Sequence, residues 1–199
     1  MFLVLDGPDG AGKTTQAARL AAFLRDRGRS AVVLREPGAT PAGEAIRDLL
    51  LDPETEIGSR AEMLLYQAAR AQIIEAVVRP HLEDGKTVIL DRFGYSTIAY
   101  QGYGLGLDVE EIRTVTRIAT GGLEPDHVFI LDLPPEVGLG RLDGPKDRIE
   151  RRPLEYHQRV RDGFLAEARL LGDRATLVDT TRTHEEVAEA IRAVAEGLL

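Results

Sequence analysis

The sequence predicts an α/β protein, a doubly wound parallel sheet of five strands flanked by helices. Two observations carry this prediction. Five short runs rich in Val, Ile and Leu lack polar–apolar alternation, as do strands buried on both faces. Longer amphipathic segments separate them, so strand and helix alternate along the chain.

The elements follow in order. The first strand, Phe2–Asp6, leads through a glycine-rich stretch into a helix over Lys13–Arg27. Apolar residues there recur near every 3.6 positions and stop at Gly28, a fitting helix terminator. Ala31–Arg35 is the second strand, and Pro37 and Gly38 break it into a loop. Ser59-Arg-Ala-Glu62 reads as a capping box before a helix running to about Pro80. Thr87–Asp91 is the third strand. Asp108-Val-Glu-Glu111 opens another helix, which Gly121-Gly122 close. His127–Leu133 and Thr176–Asp179 complete the strands, and Thr183-His-Glu-Glu186 opens the last helix. No repeat, low-complexity tract or linker divides the chain, so residues 1–199 are read as one domain.

Composition excludes several classes. Hydrophobic residues at 43% and charged residues at 29% are a globular balance, which argues against disorder. A net charge of −8 disfavours a general duplex binder, which needs a basic face, so no nucleic-acid partner is expected. The chain has no cysteine, hence no disulfide, thiol nucleophile or thiolate metal site. No run approaches the ~18 apolar residues of a membrane span, and the N-terminal apolar run is short and lacks a basic flank. The expectation is a cytoplasmic protein with no membrane partner.

The strongest motif is Gly7-Pro8-Asp9-Gly10-Ala11-Gly12-Lys13-Thr14, with Thr15 next, which fits G-x-x-x-x-G-K-[ST] between a strand and a helix. Its glycines let backbone N–H groups face a phosphate, and the helix N-terminus adds a positive dipole. Lys13 reaches the β- and γ-phosphates and the Thr14 hydroxyl suits Mg²⁺. The fold is therefore of the P-loop NTPase type, with a nucleoside triphosphate and Mg²⁺ as the expected ligands. An acid at Asp9, beside a triphosphate, needs a partner such as an acceptor hydroxyl or a metal-bound water.

Other residues collect at the same sheet edge. Asp91, at the end of the third strand, is a candidate outer-sphere magnesium ligand, and Arg92 suits a phosphate. Arg35-Glu36-Pro37 lies at the end of the second strand. Tyr66 and Arg70, four apart, share a helix face on which a ring and a guanidinium could meet a base. Ser96, Tyr100 and Gln101 make the stretch after Arg92 unusually polar, as in a small-molecule pocket. The segment from about 141 to 152, with Gly144, Pro145, Lys146 and four arginines, reads as a mobile basic lid.

Together these residues resemble the bacterial thymidylate kinases over essentially the whole chain. The segments GPDGAGKTT, REPGAT, YQAARAQ, DRFGYSTIAYQG, PDHVFILDLPPEVGL and DRIE stand in that family's order and spacing. The resemblance implies phosphorylation of dTMP by ATP in a homodimer packed through the helices Ser59–Pro80 and Asp108–Thr120. It assigns Asp9 to the sugar 3′-hydroxyl and the metal, and Arg35, Glu36 and Pro37 to the acceptor-phosphate loop. It also assigns Tyr66 to stacking on thymine, Arg70 to the base edge, Arg92 to the acceptor phosphate, Tyr100 to the sugar and Gln101 to the acceptor pocket. Departures are Ala39 for a glycine, Tyr66 for the common phenylalanine, and a lid that is short and poor in arginine between Arg141 and Arg148. A lid arginine is implied; Arg141, Arg148, Arg151 and Arg152 are candidates, with Arg148 given the catalytic place beside Lys13, Asp9 and Arg92. The attacking group is an ionised phosphate, so no general base is assigned. The rivals are a deoxynucleoside kinase, which would need a base near a hydroxyl, and a regulatory P-loop ATPase, which would have no use for a second nucleotide pocket.

Overall fold

The computed structural model describes all of residues 1–199. Five parallel strands, β1 (Phe2–Asp6), β2 (Ala31–Arg35), β3 (Thr87–Asp91), β4 (His127–Asp132) and β5 (Ala175–Asp179), lie in the order β2-β3-β1-β4-β5. The chain winds first to one side of β1 and then to the other, so the connections reverse direction beside it. In such sheets a crevice opens there at the carboxyl ends of the strands. Every residue of β1 and β3 is buried, which accounts for their unbroken apolar sequences, whereas the edge strands β2 and β5 are partly exposed.

Alternate residues of β1 feed two apolar layers. Phe2 and Val4 pack with Ile73, Val78, Tyr156 and Phe164 on one face. Leu3 and Leu5 pack with Leu20, Leu24, Val187 and Ile191 on the other.

The helices match the sequence patterns in part. α1 (Lys13–Asp26) follows Gly12, whose φ of 83° puts it in the left-handed region. α2 (Pro41–Leu51) carries Thr40 as its cap. α3 (Ser59–Ile73) passes through a π-helical turn, Ile74–Val78, into α4 (Arg79–Glu83). Pro80 therefore does not end the helix but sits in the first turn of α4. The expected capping box at Ser59 does not form: Gly58 is the cap residue, with no side-chain bond, and Glu62 is fully buried with other partners. Burial of that carboxylate outweighed the local capping preference. α5 (Gly94–Thr97) widens into a π-helical segment, Ile98–Gly104. α6 (Val109–Thr120) begins on Asp108, which accepts from the N–H groups of Glu110 and Glu111, and ends at left-handed Gly121, both as expected. α7 (Pro135–Gly140) and the long α8 (Leu154–Leu171) follow, and α9 (His184–Gly197) opens with the capping box of Thr183 and Glu186.

The P-loop lies backbone to backbone on its neighbours. A Cβ on Gly10 would come within 2.2 Å of the Gly138 carbonyl oxygen, and one on Gly138 within 2.3 Å of the Asp9 carbonyl oxygen. Neither contact can be relieved by turning a side chain. Gly138→Ala is therefore expected to lower stability by about 1–3 kcal/mol and to weaken ADP binding at the displaced loop. Urea denaturation and calorimetric ADP titration measure the two effects, and unchanged values would show that α7 yields freely.

Candidate active site

Asp6, fully buried at the end of β1, positions the loops of the site. Its Oδ1 accepts from the Gly7 N–H at 3.0 Å and the Ser96 hydroxyl at 2.6 Å. Its Oδ2 accepts from the N–H groups of Phe93 and Ser96, each at 3.0 Å. One carboxylate thus joins the start of the P-loop to the start of α5. Burial raises its pKa, against the pull of Arg92, Ser96 and Lys13.

Lys13 donates from Nζ to the carbonyls of Gly7 at 2.9 Å and Pro8 at 2.7 Å. Burial, and then Arg92, bring its pKa down to about 8, with Asp9, Asp91 and Asp6 opposing. The amine stays protonated at neutral pH. The Thr14 hydroxyl donates to Asp91 at 2.6 Å. A hydroxyl and a carboxylate at the mouth of a phosphate cradle are hard oxygen donors. They fit Mg²⁺, which binds through one or two such groups and completes its shell with phosphate and water oxygens.

Arg92 has a φ of 73°, uncommon for a non-glycine residue. Its guanidinium donates to Asp9, to Ser96 Oγ at 3.1 Å and to the Gly7 carbonyl at 3.3 Å, and it lies 5.2 Å from the Tyr100 ring centroid. The Tyr100 hydroxyl donates to the other Asp9 oxygen at 2.7 Å. Burial alone would raise the Asp9 carboxyl; Arg92, Lys13 and Tyr100 more than offset it and hold its pKa below the usual value. Asp9 thus keeps Arg92 aimed across the site.

Two adjoining cavities share Asp9, Arg47 and Arg92. One is floored by Gly10, Gly12, Lys13, Thr14 and Thr15 and reaches Arg35, Glu36 and Asp91. The other is lined by Pro37, Tyr66, Ser96, Tyr100 and Gln101. Most of the sequence-derived site residues therefore meet in one crevice. Arg35 holds Glu44 at 2.9 Å on the exposed rim.

Arg70 and Arg148 lie elsewhere. Arg70, 2% exposed, does not line the second cavity but stands behind Thr97 in its wall. Its Nε donates to Glu36 at 2.8 Å, Nη1 to Gln67 at 2.8 Å and Thr97 at 3.0 Å, and Nη2 to the Phe93 carbonyl at 2.9 Å. One of its five N–H groups remains free. Arg148 lines neither cavity. It donates to the Leu50 carbonyl at 2.8 Å and to Glu62 at 2.6 Å, because the buried Glu62 carboxylate demands cations.

Three residues escaped the sequence reading. Arg47 sits on α2, whose start Thr40 and Pro41 mark as an N-cap followed by a first-turn proline, a signal left unused in the sequence reading. Asp6 read only as the end of a strand. Glu62 accepts from Arg148, from Arg152 at 2.6 Å and from Gln101 at 2.8 Å. It stands four and eight residues before Tyr66 and Arg70 on one helix face, and that spacing was the available signal.

Known proteins resemble this chain over nearly its whole length. A family model described as thymidylate kinase matches residues 5–191. A thymidylate kinase of Deinococcus radiodurans is 48% identical over 199 residues, covering 98% of this chain and 97% of the relative. One of Carboxydothermus hydrogenoformans is 45% identical over 199 residues, covering 99% and 97%. The crystal structure of a thymidylate kinase from Ehrlichia chaffeensis superposes with a TM-score of 0.82 at 31% identity, covering 98% of each chain.

The Glu36–Arg70 pair has a pH signature. Burial pushes the Glu36 carboxyl up to about 7 despite Arg70, and its Oε1 has no partner. Between the unfolded carboxyl's value near 4.5 and about 7 the folded chain binds more protons than the unfolded one, so this group's stabilising contribution falls as pH rises. The stability of wild type minus that of Glu36→Gln should therefore shrink from pH 5 to pH 8, measured by urea denaturation at each pH. A difference that grows with pH would contradict this.

Proposed function

The chain belongs to the thymidylate kinase family, and from that premise we propose which residues carry its phosphoryl transfer. It phosphorylates dTMP to dTDP with ATP as phosphoryl donor. The observation that best supports the assignments below is the pair of cavities meeting at Asp9, Arg47 and Arg92, one on the P-loop and one whose aromatic and amide lining suits a base and sugar.

ATP binds with its phosphates on residues 7–15, where Lys13 exchanges two loop carbonyls for β- and γ-phosphate oxygens. Thr14 and Asp91 are the residues that would hold Mg²⁺, which supplies positive charge beside those phosphates. dTMP occupies the second cavity, its phosphate toward Arg92 and Arg47 and its sugar against Asp9 and Tyr100. The Tyr66 ring stacks on thymine, with Gln101, Ser96 and Pro37 completing the wall. Arg70 acts from behind the wall, offering its free N–H toward the base edge, while Glu36 fixes its orientation.

A phosphate oxygen of dTMP attacks the γ-phosphorus. The bond from that phosphorus to the β–γ bridging oxygen breaks, and its electron pair leaves with ADP. Phosphate monoesters have a second pKa of about 6, so the attacking oxygen is already ionised and needs no base. The task is to hold two anions in line and offset their charge, which Lys13, Arg47 and Arg92 do. Residues 1–199 act as one unit with 141–152 as its lid. We assign a cytoplasmic homodimer on the family resemblance, with Leu64 and Ile118, exposed on α3 and α6, as candidate contact residues.

Lys13→Ala should lower kcat by about 10³-fold or more while the circular dichroism and melting of the protein stay near wild type. Near-normal turnover would remove Lys13 from the mechanism. A coupled ADP-release assay should rank dTMP over dCMP by roughly 10³–10⁴ in kcat/KM, because cytosine's amino group would leave a buried donor unpaired. dUMP, lacking only a methyl worth about 1 kcal/mol, should stand within about tenfold of dTMP. Equal use of dTMP and dCMP would contradict the placing of Arg70.

A further inference from the structure

Glu62, fully buried on α3, lines neither cavity. Its two oxygens serve different partners. Oε2 accepts from Arg148 and Arg152, each at 2.6 Å. Oε1 accepts from Nε2 of Gln101 at 2.8 Å. The two guanidinium groups hold the carboxylate in place and leave Oε1 facing the carboxamide.

Gln101 is buried and lines the acceptor cavity. A carboxamide has a donor end and an acceptor end, and a half-turn exchanges them with almost no change of shape. Glu62 removes that freedom. A carboxylate only accepts, so in the turned form two oxygens would face each other inside the protein. The amide nitrogen must point at Glu62, which leaves the amide oxygen on the other side. That oxygen accepts no hydrogen bond within the protein and is not sealed off, so it opens onto the cavity that Gln101 lines. The wall there offers an acceptor, and a ligand must bring a donor to it.

We propose that Glu62 is a positioning residue that sets the base specificity of the acceptor pocket, by fixing the Gln101 carboxamide with its oxygen toward the bound base. This rests on the dTMP kinase reading above. Thymine and uracil carry a ring N–H between two carbonyl groups, and that N–H suits an acceptor. Cytosine has a bare ring nitrogen in that place, so acceptor would face acceptor. Arg70 and Gln101 then reject cytosine at two separate atoms, the first through a donor left unpaired and the second through opposed lone pairs. Glu62 touches neither the base nor the phosphates and acts only through Gln101.

The test is kcat/KM for dTMP and for dCMP on purified full-length wild type, Glu62→Gln, Gln101→Ala, the double variant and Arg148→Met. A ratio of two substrates on one preparation cancels the fraction of active protein, so a merely structural loss does not move it. Glu62→Gln puts a donor beside the Gln101 carboxamide and frees it to turn. The dTMP:dCMP ratio should narrow by about tenfold in Glu62→Gln, Arg70 keeping the rest, and by a similar factor in Gln101→Ala. The double variant should match Gln101→Ala within about twofold, because the two residues act as one unit. Arg148 stands between Asp147 and Ile149, which line the same cavity, and Arg148→Met should leave the ratio within about twofold of wild type if the lid is not the route. Should Glu62→Gln fail to fold, Glu62→Gln with Arg152→Met removes one stranded guanidinium along with the carboxylate and supplies the same ratio. An unchanged ratio in the folded Glu62 variant, a further narrowing in the double variant, or an equal narrowing in Arg148→Met would each overturn the proposal. Wild type inactive on dTMP would instead overturn the functional reading itself.

Discussion

One buried carboxylate sets the geometry on which the active site depends. Asp6 accepts four donors from two loops that lie far apart in sequence, the P-loop and the turn after β3. A buried acid without partners would be costly, and those loops supply what its two oxygens need. Satisfying Asp6 therefore brings Gly7 and Ser96 to one point. Arg92, held between them by Ser96 and the Gly7 carbonyl, is aimed as a result.

Lys13 and Arg92 follow a common plan: each is held in advance by an oxygen of the protein. Lys13 rests on loop carbonyls and Arg92 on Asp9. Substrate phosphates exchange for these contacts, so little reorientation is needed when charge moves, and preorganisation of this kind is where electrostatic catalysis gains most. The left-handed backbone at Arg92 belongs to the same plan, since such strain persists only where surrounding contacts over-determine it.

The sheet and the P-loop were legible because their signals are local. An unbroken apolar run marks a buried strand, and glycine spacing marks a phosphate cradle. The caps at Asp108 and Thr183 were equally readable, each acting within four residues. Ser59 fails as a cap because Glu62, its would-be partner, answers to arginines some 90 residues away. The same long-range competition hid the fate of Arg148, whose basic setting suggested a phosphate and whose actual partner is that glutamate. Arg70 shows the converse: its helix face was predicted, but its depth behind Thr97 depends on Glu36 from another strand end. α8 was missed because its sequence reads as a charged run until Tyr156, Val160 and Phe164 are seen to share one buried face.

The π-helical segment Ile98–Gly104 bears on how this chain can vary by descent. On one side it presents Tyr100 and Gln101 to the acceptor cavity. On the other it is pressed against α8, where a Cβ on Gly104 would come within 2.5 Å of the Tyr156 ring and one on Gly163 within 2.9 Å of the Tyr103 ring. Loss of one residue from the widened turn would restore ordinary α-helical bonding and improve the helix locally. It would also rotate every later side chain by about 100°, taking either the pocket or the packing face out of phase. A change of length there moves all of these contacts at once and cannot be absorbed. Insertions and deletions should accumulate instead in the surface turns, leaving this stretch constant in length.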